Sequence, residues 1–178
     1  HRRRAPGCRI VVLMPVDLRT ATTTGYCSTG DGIALATALG EKTVDMDKVQ
    51  IPPTGWVDPA DPENTSKTRA AELMRGVGGI LLNDTGARFC NELGTRAYVT
   101  EQMLSHNPVF AKEGVWDANS RAPTFNLVLS SSAGEAGKKH VDLYSHKGLM
   151  TRLEGVGELA KWMKLPKALV VKTLQQYQ

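Results

Sequence analysis

Hydrophobic and polar positions recur along the chain at two periods, which predict strands in some segments and helices in others. Apolar and acidic residues alternate in TVDMDKVQI, residues 43–51, and this period of two is typical of a half-buried strand. A helical pattern covers Ile33–Leu39 and ends at Gly40, a residue type that is common directly after helices. The same patterns predict further strands at 10–14, 125–129 and 148–155, a hairpin over 78–93 with NDTG at its turn, and further helices at 67–76, 95–104, 131–137, 156–164 and 166–177. Strands and helices are mixed rather than strictly alternating, so we expect an α+β fold.

A long irregular segment interrupts these patterns at residues 52–66. Its sequence, PPTGWVDPADPENTS, is rich in the residues that favour turns and loops. Loops of this length often carry function or mark a domain boundary. We therefore expect a structural transition where the two prolines, Pro52 and Pro53, end the preceding strand.

Composition and charge narrow the class of protein. With 178 residues, 41% of them hydrophobic and 22% charged, the chain can form one domain of ordinary size and is not disordered throughout. The net charge is +4, and much of the excess lies in HRRRAPGCR, residues 1–9. An arginine-rich start without acidic residues is typical of the end of an organellar transit peptide, or of an arm that binds phosphates. The longest apolar run, IVVLM, is too short to cross a bilayer.

The metal-binding residue types show no spacing that predicts a metal site. Cys8, Cys27 and Cys90 match neither a disulfide framework nor a metal-ligand set, so we expect free thiols. The four histidines are not spaced three or four residues apart, as two ligands on one helix face would be. No metal is predicted.

Two groups of residues are candidates for chemistry. The turn TGDG, Thr29–Gly32, leads into the predicted helix at 33–39, where backbone N–H groups suit a phosphate or a polarised ring oxygen, although an ordinary glycine turn with an Asp cap has the same sequence. Glu72 and Arg75 lie three residues apart and share a helix face, and Arg96 opens a later helix. These three form either exposed surface charges or a cationic pocket for a carboxylate, in which Arg96 donates paired hydrogen bonds and Glu72 and Arg75 relay protons.

Four motifs, in order, resemble the flavoprotein fumarate reductases, which are soluble relatives of the succinate dehydrogenase flavoprotein subunits. The motifs are TTTGYCSTGDGIALATALG, VDMDKVQIPPTGW, AAELMRGVGGILLN and RFCNELGTRAYVT, and the similarity runs from about residue 22 to the end of the chain. The nearest type is the NADH-dependent enzyme of yeasts and trypanosomatids. The resemblance implies FAD as cofactor, fumarate and succinate as substrate and product, and a mitochondrial or glycosomal location.

The resemblance also implies a domain organisation. Residues 1–21 are a basic N-terminal arm, residues 22–51 a partial segment of the FAD-binding domain, and residues 52–178 a capping, or clamp, domain that closes over the dicarboxylate. Thr29, Gly30, Asp31 and Gly32 would lie near the flavin. The glycine-rich fingerprint for the FAD diphosphate, G-x-G-x-x-G after a strand, does not occur in the chain. The remainder of the flavin domain would lie on further chain or on partner chains.

Individual residues of the chain match functional residues of the family, and several positions depart from the family pattern. Arg96 matches the arginine that protonates fumarate, Glu72 and Arg75 match its proton relay, and Thr54 is a further substrate-binding candidate. Pro52 replaces the histidine that hydrogen-bonds a substrate carboxylate, and proline has no donor to offer. The other departures are Thr24 for Asn, Arg69 for an apolar residue, Ala87 for Lys or Arg, and Ala97 for Asp.

Two functional hypotheses follow from this pattern. The chain is either part of an active fumarate reductase, or a catalytically degenerate remnant of that family that serves as a structural or interaction subunit of a larger mitochondrial assembly. In the second case residues 1–9 would contact an acidic partner or RNA phosphates.

Overall fold

The fold combines a small antiparallel sheet with several short helices. The computed structural model describes residues 10–12, 27–48, 50–106 and 123–177. The strands are β1 (Ile10–Val12), β2 (Thr54–Trp56), β3 (Ile80–Leu82) and β4 (Thr124–Val128). The helices are α1 (Asp31–Ala38), α2 (Leu73–Gly76), α3 (Arg96–Leu104), α4 (Ser131–Ala136), α5 (Lys138–His146), α6 (Gly155–Met163) and α7 (Lys167–Tyr177). Within these ranges, none of the helices combines the length and the apolar character needed to cross a membrane.

The four strands form one sheet in the order β2-β1-β4-β3, and every neighbouring pair is antiparallel. Chain order is broken in the sheet, because β1 lies between β2 and β4. In the β3–β4 pair, Leu81 lies opposite Leu127, and both side chains are buried. The mixture of this antiparallel sheet with helices confirms the predicted α+β class.

The main core lies between the sheet and helices α2, α3 and α5. Trp56 is 1% exposed and meets the ring of Tyr144 edge-on, with 5.0 Å between ring centroids. Large aromatic side chains bury much apolar area, and an edge-on pair adds about 0.5–1.5 kcal/mol beyond that burial. The other fully buried members include Met74, Leu81, Val99, Met103 and Phe125.

A second, smaller core joins α6 to α7. Leu159 and Ala160 on α6 pack against Val170 on α7, and Leu165 in the connection packs against them. Leu165 also lies under the hairpin turn, because a Cβ placed on Gly86 would come within 2.7 Å of its Cδ1. The helix pair is therefore packed beneath the turn that follows β3.

Most predicted helices are confirmed to within one or two residues at each end. Helix α1 ends where Gly40 adopts a φ of +88°, and α3 begins at a Thr95 cap whose hydroxyl accepts a hydrogen bond from the Tyr98 N–H at 3.2 Å. The turn of the predicted hairpin is also confirmed, because the Asn83 N–H donates to the Ala87 carbonyl across it. The second arm of that hairpin forms no strand and meets β3 only through the bridge between Leu82 and Arg88. Strand β4 and helices α4, α6 and α7 lie where the patterns predicted them.

The predicted strand at 43–51 is wrong over its described residues. Asp45 has a φ of 55°, and a turn closes there with a hydrogen bond from the Lys48 N–H to the Asp45 carbonyl at 2.9 Å. Val44 and Met46, which the alternation would place on a buried face, are 81% and 54% exposed. An alternating pattern forms a strand only beside a partner strand, and these residues have none in the described part of the chain.

Two further predictions need correction around β2. The segment 52–66 was expected to be irregular throughout, yet it contains β2. The helix expected at 67–76 is only the short α2, because the preceding residues pair with β2 instead: the Trp56 N–H donates to the Thr68 carbonyl and the Ala70 N–H to the Thr54 carbonyl. Backbone pairing with a neighbouring strand outweighed the local helical preference.

The chain after β4 departs from the prediction once more. Residues 148–155 form no strand, since the N–H groups of Leu149 and Met150 both point to the Tyr144 carbonyl and close the end of α5. Helix α5 itself was not predicted. Its buried side is formed mainly by Tyr144, so the sequence carries little apolar periodicity there.

A close backbone approach makes Gly79 a position where alanine should destabilise the fold. A Cβ at Gly79 would lie 2.4 Å from the Met74 carbonyl oxygen, so the end of α2 would have to move away from β3. We expect Gly79→Ala to lower the free energy of unfolding in urea by about 1–3 kcal/mol. Gly134→Ala is the matched control: it lies in α4 with open space around it and should raise stability by about 0.5–1 kcal/mol. Equal effects of the two changes would contradict the packing at Gly79.

Candidate active site

The three residues predicted to act together, Glu72, Arg75 and Arg96, do lie together. Glu72 immediately precedes α2, and Arg96 is the first residue of α3, 24 residues further along the chain. The Arg96 guanidinium donates to both oxygens of the Glu72 carboxylate, from Nε to Oε1 at 2.5 Å and from Nη2 to Oε2 at 3.1 Å. Such a two-point pair fixes the orientation of both groups, which a single contact would not do.

Arg75 approaches the same carboxylate from inside the protein. Its Nη2 is 3.9 Å from Glu72 Oε1, and its Nη1 donates to the backbone carbonyl of Glu92 at 2.6 Å. The side chain is only 6% exposed, and its Nε has no hydrogen-bond partner within the described structure. Burial lowers the pKa of Arg75, because desolvation disfavours its charged form, while the charge of Glu72 opposes that effect.

Glu72 and Arg96 stabilise each other's charged forms. The hydrogen bonds from Arg96 lower the pKa of Glu72 and the same bonds raise the pKa of Arg96. Arg96 remains accessible, with 35% of its side chain exposed, and its Nη1 also donates to Gln50 Oε1 at 3.1 Å. Glu72 therefore connects an exposed guanidinium to a buried one.

Glu92 supports this arrangement from behind. Its carboxylate is 4% exposed and accepts hydrogen bonds from Arg88 Nη2 at 2.6 Å and from the Leu81 N–H at 2.9 Å. The same residue presents its backbone carbonyl to Arg75. Sequence analysis did not select Glu92 or Gln50; the spacing of Arg88 and Glu92 by four residues was the only signal that pointed to a pair.

Pro52 and Thr54 lie on the segment that enters β2. Pro52 is partly exposed and has no N–H, while the neighbouring Pro53 is fully buried. The Thr54 hydroxyl is buried and donates to the Ala70 carbonyl at 3.2 Å. Its proton is therefore used within the fold, and the substrate-binding role of Thr54 stays a prediction.

The turn before α1 is open to a ligand. Thr29 Oγ1 donates to Asp31 Oδ1 at 2.7 Å, and Gly30 precedes the helix with a φ of +81°. No side chain caps the N-terminal N–H groups of α1, and a Cβ on Gly30 or Gly32 would meet no atom within 4 Å. These features fit the close approach of a polar edge of a flavin to backbone N–H groups. They provide no cradle for its diphosphate.

The remaining candidates from the sequence are the cysteines, the possible metal ligands and the N-terminal arm. Cys27 is an exposed free thiol, and Cys90 is a buried one whose pKa burial raises to about 12, so it stays protonated. Among the described residues, no group of three or more His, Cys, Asp or Glu side chains is placed to hold a metal ion. The predicted contacts of residues 1–9, together with Cys8 and Thr24, fall outside the described ranges.

The ion pair at Glu72 makes a prediction about pH. Its folded pKa lies below the ordinary value of 4.5, so the pair adds stability above pH 4.5 and loses it as the pH falls from there through the folded value. We expect wild type to exceed Glu72→Gln in the free energy of unfolding at pH 7, with a gap that shrinks in acid. In an Arg96→Gln background the gap should depend much less on pH, because Arg96 is the main cause of the shift. A gap that stays constant from pH 7 to acid would contradict this pairing.

Comparison with known proteins shows the family of the chain. A family model described as "FAD binding domain" matches residues 7–163. The chain is 40% identical over 164 residues to "Fumarate reductase" of Schizosaccharomyces pombe, covering 92% of this chain and 29% of that protein. It is 41% identical over 133 residues to "Fumarate reductase 1" of Saccharomyces cerevisiae, covering 74% of this chain and 26% of that protein.

The chain belongs to the fumarate reductase and succinate dehydrogenase flavoprotein family. The predicted family is thus confirmed, and FAD is the cofactor of that family. The solved structure "The structure of the open conformation of a flavocytochrome c3 fumarate reductase" matches with a TM-score of 0.55 and 25% identity, covering 89% of this chain and 24% of that chain. The chain spans less than a third of the length of the two yeast relatives.

Proposed function

We propose that this chain forms the dicarboxylate-facing part of an FAD-dependent fumarate reductase, in which Arg96 donates a proton to fumarate. The arrangement of Glu72 between Arg96 and Arg75 carries this proposal. A buried arginine, a carboxylate and an accessible arginine in contact form a path along which a proton can pass from the protein to a bound substrate.

FAD, when bound, supplies a hydride to one alkene carbon of fumarate, and the protein supplies the proton for the other carbon. Arg96 gives this proton, so that fumarate, the hydride and the proton together form succinate. Glu72, which is ionised at rest, then takes a proton from Arg75 and passes it to Arg96. Arg75 regains a proton from water, so that all three groups return to their starting charges. The remaining positive charges stabilise the negative charge that develops beside the substrate carboxylate.

Arginine is a very weak acid in water, because the pKa of its guanidinium lies far above neutral pH. In the present arrangement the pair with Glu72 raises the pKa of Arg96 further, which disfavours proton loss. The proposed step therefore requires that substrate draws the Arg96 guanidinium toward itself in a site from which water has been excluded. Closure of a capping domain would provide that exclusion.

We propose that residues 22–51 belong to the FAD-binding domain and residues 52–178 to the capping domain. A contrast in burial supports a boundary near Pro52. No described residue between Cys27 and Lys48 is buried, whereas Pro53 to Val57 all are. In this division, Thr29–Gly32 would contact the flavin and Arg96 would face the dicarboxylate above it.

Two substitutions favour a second candidate function. Pro52 offers no hydrogen-bond donor where the family carries a histidine, and Ala97 follows Arg96 where the family carries an Asp. These losses fit a catalytically degenerate subunit that acts as an interaction module in a larger mitochondrial assembly. For either candidate we propose a mitochondrial or comparable organellar location, which the similarity to mitochondrial succinate dehydrogenase flavoprotein subunits of Xenopus laevis supports.

Bound flavin distinguishes the two candidates. The purified full chain should show the visible absorbance of oxidised flavin, and its chemically reduced form should be reoxidised by fumarate with succinate as product. Acrylate, which has one carboxylate, serves as the control acceptor and should react far more slowly. A colourless chain that co-purifies with a large complex and does not reduce fumarate would refute the enzymatic proposal in favour of the second candidate.

A further inference from the structure

Two guanidinium groups contact the single carboxylate of Glu72, and the charge of a third acts on it. Arg96 and Arg75 contact it directly, and the charge of Arg69, three residues before it, also acts to lower its pKa. One carboxylate neutralises one of these charges, so two positive charges remain in excess around it. A small dianion with two carboxylates is the ligand whose charge matches that excess.

Arg69 is held in place by its backbone. It forms an antiparallel bridge with Gly55 in β2, and its carbonyl accepts a hydrogen bond from the Tyr144 hydroxyl at 3.0 Å. The next residue, Ala70, is 2% exposed and faces the core, so the Arg69 side chain projects to the opposite, exposed side. The bridge places the Arg69 backbone opposite Gly55, only a few residues after Pro52.

The three arginines differ in the hydrogen-bond partners of their guanidinium groups. Arg75 is committed to the Glu92 carbonyl, and Arg96 to both oxygens of Glu72. In the described part of the chain, the Arg69 guanidinium makes no hydrogen bond or ion pair with another side chain. Its five N–H donors are therefore free to bind a carboxylate at two points.

We propose that Arg69 binds one carboxylate of the dicarboxylate substrate and supplies the hydrogen bonds that Pro52 cannot. This inference rests on the proposed function, because it assumes that a dicarboxylate enters the cluster around Glu72. Arg69 binds and positions one end of the substrate, which leaves Arg96 to act on the carbon between the two carboxylates. The site is selective for dicarboxylates because a monocarboxylate leaves one guanidinium without a partner.

Binding of succinate measures this role without any dependence on turnover. Calorimetric titration of the full chain, with and without added FAD, should show that Arg69→Leu weakens succinate binding by about 10- to 100-fold, as expected for a lost charged hydrogen-bond pair. Arg69→Lys should weaken it less, since lysine keeps the charge but not the two-point geometry. Lys172→Leu, which removes an exposed positive charge from α7, is the control and should change affinity by about twofold at most.

The ratio of succinate to propionate affinity shows whether Arg69 binds substrate or has only a structural role. Arg69→Leu should bind propionate nearly as well as wild type does, so that the ratio of succinate to propionate affinity falls about 10-fold or more. Pro52→His in the Arg69→Leu background should recover part of the lost succinate affinity. Unfolding midpoints in urea should be unchanged, because the Arg69 side chain is exposed.

The outcomes distinguish this inference from the function on which it rests. Equal succinate affinity of wild type and Arg69→Leu, with fumarate reduction still lost in Arg96→Gln, would overturn the role of Arg69 and leave the proposed site intact. No succinate binding by wild type, with or without FAD, would overturn the proposed function and the role of Arg69 with it. Equal weakening of succinate and propionate would also overturn it, since Arg69 would then recognise no second carboxylate.

Discussion

Replacing Arg96 by Gln is expected to lower the rate of fumarate reduction by about 10²- to 10⁴-fold, the range typical for loss of a general acid. Glutamine keeps a hydrogen-bond donor for Glu72 but carries no acidic proton that it can give to carbon and no charge. The measurement is the rate at which fumarate reoxidises the chemically reduced, FAD-containing protein. We expect the loss mainly in kcat, because Arg96 acts in the chemical step rather than in initial binding.

Two comparisons make the Arg96 result specific. Reoxidation by dioxygen needs no proton transfer from Arg96 to fumarate, so it should continue at the wild-type rate. Arg152→Gln removes another exposed arginine and should leave fumarate reduction unchanged. If Arg96→Gln retained more than about a tenth of wild-type activity, a different group would have to supply the proton. The proposed relay through Glu72 would then be wrong.

Replacing Glu92 by Ala is expected to cost about 1–3 kcal/mol in the free energy of unfolding, as loss of the partner of a buried hydrogen-bonding group does, while Arg88 is 36% exposed and can be hydrated. The change leaves the buried Leu81 N–H without an acceptor and Arg88 without its carboxylate. The carbonyl that holds Arg75 also belongs to this residue, so its position would loosen. Urea unfolding followed by the fluorescence of the buried Trp56 measures the loss.

A surface ion pair provides the matched control for Glu92. Lys138 and Asp142 lie four residues apart on α5 with both side chains more than 60% exposed, and Asp142→Ala should cost at most about 0.5 kcal/mol. Glu92→Gln should fall between the two, because an amide oxygen can still accept from the Leu81 N–H. A loss below about 1 kcal/mol for Glu92→Ala would mean that water can replace the carboxylate and that the pair is not a structural support.

The fold changes the interpretation of Pro52, the proline that replaces a substrate-binding histidine of the family. From the sequence, the missing histidine argued against catalysis. In the fold, Arg69 lies on the neighbouring segment, where its backbone pairs with Gly55 just beyond the two prolines, and its guanidinium has no side-chain partner in the described part of the chain. The substitution of an apolar residue by Arg69 and the loss of the histidine donor at Pro52 thus fall in one region, and their effects on substrate binding should be tested together.

Local signals were sufficient for the elements that depend on local interactions. Thr95 correctly indicated the start of α3, because its hydroxyl caps the helix. Gly40 correctly indicated the end of α1, because it adopts a positive φ. The expected strand at 43–51 failed for the converse reason. Its alternating pattern has no partner strand in the described residues, and a turn at Asp45 satisfies the backbone locally.

The sequence by itself determined the α+β class, the family and the identity of the three grouped charges, because each depends on residue types and spacing within short motifs. Tertiary structure alone decided which groups meet. The Glu72–Arg96 pair joins residues that are 24 positions apart, and only folding brings the Glu92 carbonyl to Arg75. Burial also distinguishes the arginines, since Arg75 is buried, whereas Arg69 is exposed and has no side-chain partner among the described residues. Such differences arise from desolvation and contact across the fold, which no local pattern encodes.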